Sequence, residues 1–264
     1  MSAAEPAPGA APREAPWYEV WFDSDLYERV YAERDAAEAE RLARLVVRTL
    51  ALPPGAAVLD VGTGRGRHAR ALARRGLRVT GLDLAPRALA AARARAAAEG
   101  LDITFVEGDM RRVRFRARFD AVVNLFTSFG FFDTDREHAD AVAAMAAALR
   151  PGGRLVQDFL CADYVRAHLV PHDEREADGL TVRQERWIEE DAPGGPRVHK
   201  RITVRAPGHA EHVYTESVRL LTRDDFARYY AAAGLRLVRT FGDYDGAPAA
   251  PGRPRLILVA ERSR

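Results

Sequence analysis

The sequence of 264 residues has a single cysteine, Cys161, and a single lysine, Lys200. One cysteine excludes an intramolecular disulfide and a cluster of cysteines around zinc, and it favours a reducing, cytoplasmic location. No apolar run reaches the roughly 18 residues that a membrane-spanning helix needs, so we expect no membrane partner. Residues 1–16 are rich in alanine and proline and lack the residue order of a signal peptide, so we expect a disordered leader there.

Because lysine is almost absent, arginine supplies nearly all of the positive charge, and the formal net charge is only +2. The arginines are spread among many alanines, which indicates GC-rich codons more than a phosphate-binding surface. A nucleic-acid partner usually requires basic residues concentrated in one stripe. The charge pattern therefore does not favour nucleic-acid binding, and the composition, with 47% hydrophobic and 30% charged residues, is that of a globular protein.

Short apolar segments alternate with helical patterns from residue 57 to residue 159. We predict strands over residues 57–61, 78–82, 103–107, 119–125 and 154–159, and helices over residues 68–75, 86–99 and 135–149. This order predicts a parallel sheet with helices on both faces, joined by right-handed crossovers. Ahead of the sheet, an aromatic-rich segment and a helix over residues 35–50 are expected to form a helical cap, residues 17–56.

The pattern changes after residue 164. Long runs in which polar and apolar residues alternate predict antiparallel strands with one face in water, at residues 180–190, 197–205 and 212–221. A helix over 223–233 and strands over 235–241 and 255–260 follow. The predicted fold class is α/β: a doubly wound, mostly parallel seven-stranded sheet with an antiparallel β insertion before the sixth strand. The main domain would comprise residues 57–164 and 222–264, and the insertion residues 165–221.

Three glycines at alternate positions, Gly62, Gly64 and Gly66, follow the first predicted strand. A glycine loop between the first strand and first helix of such a sheet is a nucleotide-binding position. A triphosphate-binding loop would end in Gly-Lys-Ser/Thr, and this loop has no lysine. A dinucleotide loop has the spacing G-x-G-x-x-G, so here the third glycine comes one residue early. Asp83, after the second strand, suits the ribose of NAD or of another adenosine ligand, or else caps a helix.

Five segments resemble the motifs of class I S-adenosylmethionine-dependent methyltransferases, in their order and spacing. They are Val58-Leu-Asp-Val-Gly-Thr-Gly-Arg-Gly66, Gly81-Leu-Asp-Leu-Ala-Pro86, Glu107-Gly-Asp-Met110, Phe119-Asp-Ala-Val-Val-Asn-Leu125 and Leu149-Arg-Pro-Gly-Gly-Arg-Leu155. The resemblance implies a Rossmann-like fold with S-adenosylmethionine as cofactor and S-adenosylhomocysteine as product. It implies cofactor contacts by Tyr18, Tyr27, Tyr31, Asp60, Gly62, Thr63, Gly64, Arg67, Asp83, Leu84, Asp109, Met110, Asn124 and Leu125.

For several of these residues, a purely structural role remains an alternative to contact with the cofactor. Asp60 either contacts the cofactor or orders the glycine loop as a buried carboxylate. Asp109 either reaches the adenine amino group or caps a turn. The three tyrosines either fold over the cofactor or only pack a cap helix.

The methyl acceptor is expected at the carboxyl end of the fourth strand, over residues 124–132. This segment lacks the two prolines of the adenine-specific DNA methyltransferase motif, which argues against a flipped base as the acceptor. It is most similar to bacterial N-methyltransferases that act on amino sugars, and that resemblance implies that the insertion walls the acceptor site and can form a homodimer contact. Candidate pocket residues are Phe126, Phe129, Asp158, Tyr164, His168, His172 and Tyr244.

No acid–base pair stands out, so no catalytic residue is assigned. Cys161 is interpreted as a packing residue, and the pair His209 and His212 lacks a third ligand, so no metal is predicted. We predict a methyltransferase that moves the methyl group of S-adenosylmethionine to an N or O atom of a small metabolite, in secondary metabolism. The alternatives are an RNA-modifying methyltransferase and an NAD-dependent oxidoreductase.

Overall fold

The computed structural model describes residues 15–31, 36–206, 208, 210–250 and 252–263. The predicted leader lies outside the described residues except for Ala15 and Pro16. In the described part the helices are α1 Trp17–Phe22, α2 Asp25–Val30, α3 Ala36–Leu50, α4 Arg67–Ala73, α5 Pro86–Ala98, α6 Asp135–Ala148, α7 Ala162–His168 and α8 Arg223–Ala232.

The strands form two sheets. In chain order they are β1 Ala57–Val61, β2 Arg78–Asp83, β3 Ile103–Glu107, β4 Phe119–Asn124, β5 Leu149–Leu160, β6 His172–Ala177, β7 Leu180–Glu189, β8 Arg197–Arg205, β9 His212–Arg219, β10 Leu235–Phe241 and β11 Arg255–Arg262. The larger sheet has seven strands in the order β10-β11-β5-β4-β1-β2-β3. Strands β1 to β5 pair in parallel, and β11 runs antiparallel to both β5 and β10. The predicted seven-stranded, mostly parallel sheet is confirmed.

The strand order places the functional edge of the sheet. The chain winds outward from β1 in both directions, first to β2 and β3 and then to β4 and β5. In an open parallel sheet, ligands bind at the carboxyl ends of the strands where the order reverses, here between β1 and β4. The glycine loop follows β1 and the segment of residues 124–132 follows β4, so the two lie side by side.

Helices cover both faces of this sheet, which explains why its inner strands read as continuous apolar runs. Leu59 and Val61 belong to an apolar cluster with Met145 of α6, whereas Val58 belongs to a second cluster with Leu72 of α4. All of these side chains are buried. Within the described residues, no helix combines the length and apolar character needed to cross a membrane.

The smaller sheet is antiparallel, in the order β6-β7-β8-β9. One of its faces buries Val182, Ile202 and Val204 in a cluster that also contains Trp21 of α1 and Val30 of α2. The inserted sheet therefore packs under the N-terminal helices. The sequence predicted both parts and did not indicate that they meet.

Two elements of the insertion were missed. Strand β6 has no apolar alternation, since it is an edge strand whose side chains are mostly exposed or only half-buried. Helix α7 is short, with Ala162 as its only buried residue. As a result, His168 ends a helix and His172 begins a strand, whereas the first strand of the insertion was predicted only from residue 180.

The start of β5 also differs from the prediction. The Pro151-Gly152-Gly153 segment was expected to separate a helix from a strand that begins at residue 154. Instead β5 begins at Leu149, and its register with β4 shifts between Phe119 and Ala121. The proline and glycines form an irregularity inside the strand, because a bulge accommodates residues that a regular ladder would exclude.

Candidate active site

The glycine loop joins β1 to α4. Gly62, Gly64 and Gly66 have φ angles of 74°, 52° and 71°, which glycine adopts without steric penalty. A Cβ atom on Gly66 would lie 3.1 Å from Cβ of Ala92, so the third glycine lets the loop pack against α5. No described atom lies within 4 Å of the Cβ position of Gly64, which leaves the backbone there accessible to a ligand.

Asp60 lies behind the glycine loop and is almost fully buried. Its Oδ2 accepts a hydrogen bond from Oγ1 of Thr63 at 2.7 Å. Burial raises the pKa of Asp60 to about 7, while the hydrogen bond from Thr63 opposes the rise and the charge of Asp83 adds to it. Asp60 is not among the residues that line the neighbouring cavity. Of its two alternatives, the geometry supports ordering of the loop.

Asp83 ends β2 and lines the cavity. Its Oδ2 accepts a hydrogen bond from the backbone N–H of Gly64 at 2.6 Å, and its Oδ1 accepts one from that of Ala85 at 3.0 Å. Burial raises the pKa of Asp83, against the effect of these backbone hydrogen bonds. The carboxylate therefore fixes the loop and the start of α5, and it also faces the space where a ligand would lie.

Asp109 caps a 3₁₀ turn, Met110–Arg112, and lines the same cavity. It accepts a hydrogen bond from the backbone N–H of Arg111 at 2.8 Å and forms an ion pair with the guanidinium of that residue at 2.7 Å. Burial acts to raise the pKa of Asp109, but the hydrogen bonds and charge of Arg111 outweigh it and lower the pKa. The turn-capping alternative is thus observed, and the adenine contact stays a prediction.

One cavity of about 750 Å³ extends from the glycine loop to the inserted sheet. The predicted residues that line it are Tyr18, Tyr27, Tyr31, Gly62, Thr63, Gly64, Arg67, Asp83, Leu84, Asp109, Met110, Leu125 and Phe126. Two further lining residues, Phe131 and Phe132, lie in the predicted acceptor segment but were not named individually. The sequence did not assign other lining residues to the site, among them Trp17, Phe22, Val198, His199, Lys200, Glu216, Val218 and Arg255. The cofactor motifs and the insertion therefore share one site.

Aromatic rings of α1 form a wall of this cavity. The rings of Trp17 and Phe131 meet edge to face at 5.3 Å between centroids, and Tyr18 stacks on Phe131 at 6.0 Å. Burial raises the pKa of Tyr18, and the charge of Arg111 opposes the rise. The rings at the amino terminus thus pack against each other and line the cavity at once, and their contact with the cofactor stays a prediction.

A charged cluster on the inserted sheet also lines the cavity. Oε2 of Glu216 on β9 lies 2.6 Å from Nζ of Lys200 on β8, which it faces across the ladder. Oε1 accepts hydrogen bonds from Nε1 of Trp21 at 2.8 Å and from the hydroxyl of Tyr31 at 3.0 Å. A lone lysine in an arginine-rich chain was the one sequence signal for this cluster, and its significance was not recognised.

Asn124 and Phe129 were predicted at the site, but they support it from behind. The side-chain amide of Asn124 donates to the carbonyl oxygens of Val61 at 2.9 Å and of Ser128 at 3.0 Å, which ties the end of β1 to the segment after β4. Phe129 packs against Phe226 of α8 in the apolar core. Neither side chain lines the cavity.

Tyr164, His168 and His172 also lie outside the cavity lining. The rings of Tyr164 and His168 stack at 4.1 Å and border a smaller groove that adjoins the cavity through Arg186. His172 is exposed at the start of β6. The sequence placed these residues near the acceptor because it did not reveal α7 and β6.

Asp158 and Tyr244 were predicted to contact substrate, but neither lines the cavity: Asp158 is buried and Tyr244 is half-buried. Their side chains bond to each other, with the Tyr244 hydroxyl donating to Oδ2 of Asp158 at 3.0 Å. Oδ1 of Asp158 pairs with Arg255 at 2.7 Å. Burial raises the pKa of Tyr244, as does the negative charge of Asp158.

Within the part of the chain that the structure describes, no group of three or more His, Cys, Asp or Glu side chains is placed to hold a metal ion. His209 lies outside the described residues, so its pairing with His212 is not described.

Comparisons with known proteins agree with this geometry. Residues 58–153 match a family model described as a methyltransferase domain. The chain is 34% identical over 229 residues to the dTDP-3-amino-3,4,6-trideoxy-alpha-D-glucopyranose N,N-dimethyltransferase of Streptomyces venezuelae, covering 83% of this chain and 92% of the relative. It is 32% identical over 248 residues to the dTDP-3-amino-3,6-dideoxy-alpha-D-glucopyranose N,N-dimethyltransferase of Streptomyces fradiae, covering 88% and 93%.

A solved structure is similar over the same extent. It is an amino pentose methyltransferase from Micromonospora echinaspora, involved in calicheamicin biosynthesis and solved with S-adenosylmethionine bound. It superposes with a TM-score of 0.68 at 32% identity and covers 91% of this chain and 98% of that one.

The chain belongs to the class I S-adenosylmethionine-dependent methyltransferases. It is a small-molecule methyltransferase, similar to the amino-sugar N-methyltransferases within that class. S-adenosylmethionine, and not a nicotinamide dinucleotide, is its cofactor. The site fits this group, because Gly64 leaves open backbone and Asp83 offers a carboxylate to a ribose.

Proposed function

We propose that this enzyme N-methylates an amino sugar carried on a nucleotide. The observation that carries the proposal is that the glycine loop and the inserted sheet line one continuous cavity. The relatives named for amino-sugar substrates match the chain over more than nine-tenths of their own length, which includes the insertion and not only the cofactor domain.

The residues that would hold the cofactor are among those that line the cavity. We assign the methionine part to the backbone of Gly62 and Gly64, the ribose to Asp83, and the adenine end to Asp109 and Met110. Tyr18, Tyr27 and Tyr31 would cover it. When bound, S-adenosylmethionine supplies a methyl group on a positively charged sulfur. An uncharged amine is nucleophilic enough to accept this methyl group without further activation.

The protein's contribution to transfer is then positioning and exclusion of water. Rings of Trp17, Tyr18, Phe131 and Phe132 supply the apolar surroundings, which disfavour a charged ammonium and so favour the reactive neutral amine. Lys200 and Glu216 offer polar atoms for the hydroxyl groups of a sugar. No residue is required to act as a base for an amine, and we assign none.

The domain division follows from the same proposal. Residues 57–164 and 222–264 would bind the cofactor, residues 165–221 would wall the acceptor, and a pair of insertions from two copies would form a homodimer. We further propose a cytoplasmic reaction without a nucleic-acid partner, which suits a chain with one cysteine and balanced charge.

The test is a methyl-transfer assay with two acceptors that differ at one atom. Purified enzyme and S-adenosylmethionine are incubated with a dTDP-3-amino-6-deoxy sugar, or with the same sugar bearing a hydroxyl at that position, and products are identified by mass spectrometry. Methylation of the amine alone is expected. Methylation of the hydroxyl sugar, or no transfer to the amine by enzyme that binds S-adenosylhomocysteine, would contradict the proposal.

A further inference from the structure

The segment that follows β4 has a backbone conformation that its residues disfavour. Phe126 and Thr127 have φ angles of 58° and 59°, in the left-handed region. That region suits glycine, and a β-branched residue such as threonine is rarely found there. Both residues line the cavity. Two consecutive residues in this conformation require surroundings that impose it.

Asp158 on β5 provides these surroundings. Its Oδ2 accepts a hydrogen bond from the backbone N–H of Phe126 at 2.9 Å, and its carbonyl oxygen accepts one from the backbone N–H of Thr127 at 2.9 Å. The side chain of Asp158 is 0% exposed. Both N–H groups of the left-handed pair are therefore bound by one buried residue.

The carboxylate of Asp158 is itself held from β11 and from the segment before it. Arg255 forms an ion pair with Oδ1 at 2.7 Å and also donates to Oγ1 of Thr127 at 3.0 Å. The Tyr244 hydroxyl donates to Oδ2 at 3.0 Å. Because the charge is compensated and both oxygens are bonded, the buried carboxylate is a rigid anchor.

The left-handed segment also braces the glycine loop. A Cβ atom on Gly62 would lie 2.8 Å from Cβ of Ser128, so the two backbones approach closely. Oγ of Ser128 donates to the carbonyl oxygen of Gly62 at 3.3 Å, and the guanidinium of Arg67 lies 4.5 Å from the centre of the Phe126 ring. A change in the conformation of residues 126–128 would displace the loop.

We propose that Asp158 is a positioning residue for cofactor binding: it holds Phe126 and Thr127 in the left-handed conformation and thereby keeps the glycine loop in its binding geometry. Asp158 does not line the cavity and acts through these two residues, which do. The inference depends on the cofactor of the family and not on the identity of the acceptor, so it can fail or stand independently of the proposed amino-sugar activity.

Isothermal titration with S-adenosylhomocysteine tests this role. We expect Asp158→Asn to raise the dissociation constant about tenfold. The matched control is Asp120→Asn at the other end of β4, where the carboxylate likewise accepts a backbone N–H, from Ala57 at 2.7 Å, and pairs with an arginine. The dissociation constant of the control variant should stay within about twofold of the wild-type value. Equal weakening in both variants, or a dissociation constant for Asp158→Asn within about twofold of wild type, would overturn the proposal.

A double-mutant cycle separates positioning from loss of stability. The Asp158 carboxylate binds the N–H of Phe126, and glycine at residue 126 adopts a positive φ without help. Asp158→Asn should therefore weaken binding by about threefold or less in a Phe126→Gly background. A purely stabilising role for Asp158 predicts the same weakening in both backgrounds and would refute the inference.

If Asp158→Asn does not fold, Tyr244→Phe provides the same readout with a smaller change. It removes one hydrogen bond to Oδ2 and leaves the ion pair with Arg255 in place. The dissociation constant is expected to rise about two- to threefold. An unchanged value would contradict the proposed role.

Discussion

Glu216 on β9 accepts a hydrogen bond from the indole Nε1 of Trp21 on α1 at 2.8 Å. Trp21 is 1% exposed, so an indole N–H without this partner would be buried and unsatisfied. The same carboxylate pairs with Lys200 at 2.6 Å. A single side chain thus joins the inserted sheet to α1, whose Trp17 and Tyr18 line the cavity.

Replacement of Glu216 by glutamine should destabilise the protein by about 1–3 kcal/mol, because the half-buried charge of Lys200 loses its partner. Urea unfolding, followed by tryptophan fluorescence, measures the loss. The control is Glu211→Gln, which breaks an ion pair with Arg205 whose side chains are 44% and 63% exposed. An exposed pair contributes about 0–1 kcal/mol, so equal losses in the two variants would contradict the prediction.

Removal of the Asp83 carboxylate should weaken S-adenosylhomocysteine binding by about 1–3 kcal/mol, since the proposed charge-assisted hydrogen bonds to the ribose would be lost. Isothermal titration of Asp83→Ala against wild type gives the difference. Asp102→Ala serves as the control, because Asp102 is an exposed carboxylate between α5 and β3. Wild-type affinity in Asp83→Ala would remove Asp83 from the cofactor site.

Asp60 should make stability depend on pH between about 4 and 7. Burial raises the pKa of Asp60 to about 7, from 3.8 for a free side chain, so the folded protein keeps the proton after the unfolded chain has lost it. The stability that this neutral carboxyl contributes is complete below pH of about 4 and is lost as the pH rises through 7. Relative to Asp60→Asn, wild type should lose up to about 4 kcal/mol over this range. Unfolding free energies without cofactor at stepped pH values provide the check; parallel curves for the two proteins would refute it.

His138 should produce the opposite slope over nearly the same pH range. Burial lowers the pKa of His138 to about 4 from 6.5. The charge of Arg219 also lowers this pKa, whereas the hydrogen bond with the Thr134 carbonyl oxygen raises it. The folded state keeps the ring neutral while the unfolded chain takes up a proton, so stability is present above pH of about 6.5 and is lost as the pH falls to 4. His138→Gln should abolish about 3 kcal/mol of this loss. The exposed His212→Gln is the control, and a wild-type slope in His138→Gln would exclude this residue as the cause.

The fold was predictable where burial leaves a periodic pattern. Strands β1 to β4 are apolar runs ended by glycine or polar residues, and their predicted bounds agree with the structure to within one residue. Strand β6 has no such pattern, because it is an edge strand with one exposed face and one half-buried face, and it needs few apolar residues. The proline and glycines after Leu149 indicate a break in isolation, and only pairing with β4 turns them into a bulge.

The residues of the site likewise divide into those that the sequence could locate and those that it could not. The glycine loop and Asp83 are close in sequence to the elements that position them, so motif spacing locates them. The contact between Trp21 and Glu216 joins residues 195 positions apart, and no local pattern encodes such a pairing. Asp158 shows a third case: the sequence placed it near the site, and only the backbone angles of Phe126 and Thr127 reveal what it supports.

The position of β11 has a consequence for synthesis on the ribosome. This strand is made after every other described strand, yet it lies inside the sheet between β5 and β10. Until it is available, β10 has no neighbour in that sheet and one edge of β5 stays open, and unpaired edges promote aggregation. A nascent chain cannot complete its main sheet before residues 255–262 emerge, so a message truncated upstream of Arg255 would yield an incomplete sheet that quality-control proteases can remove.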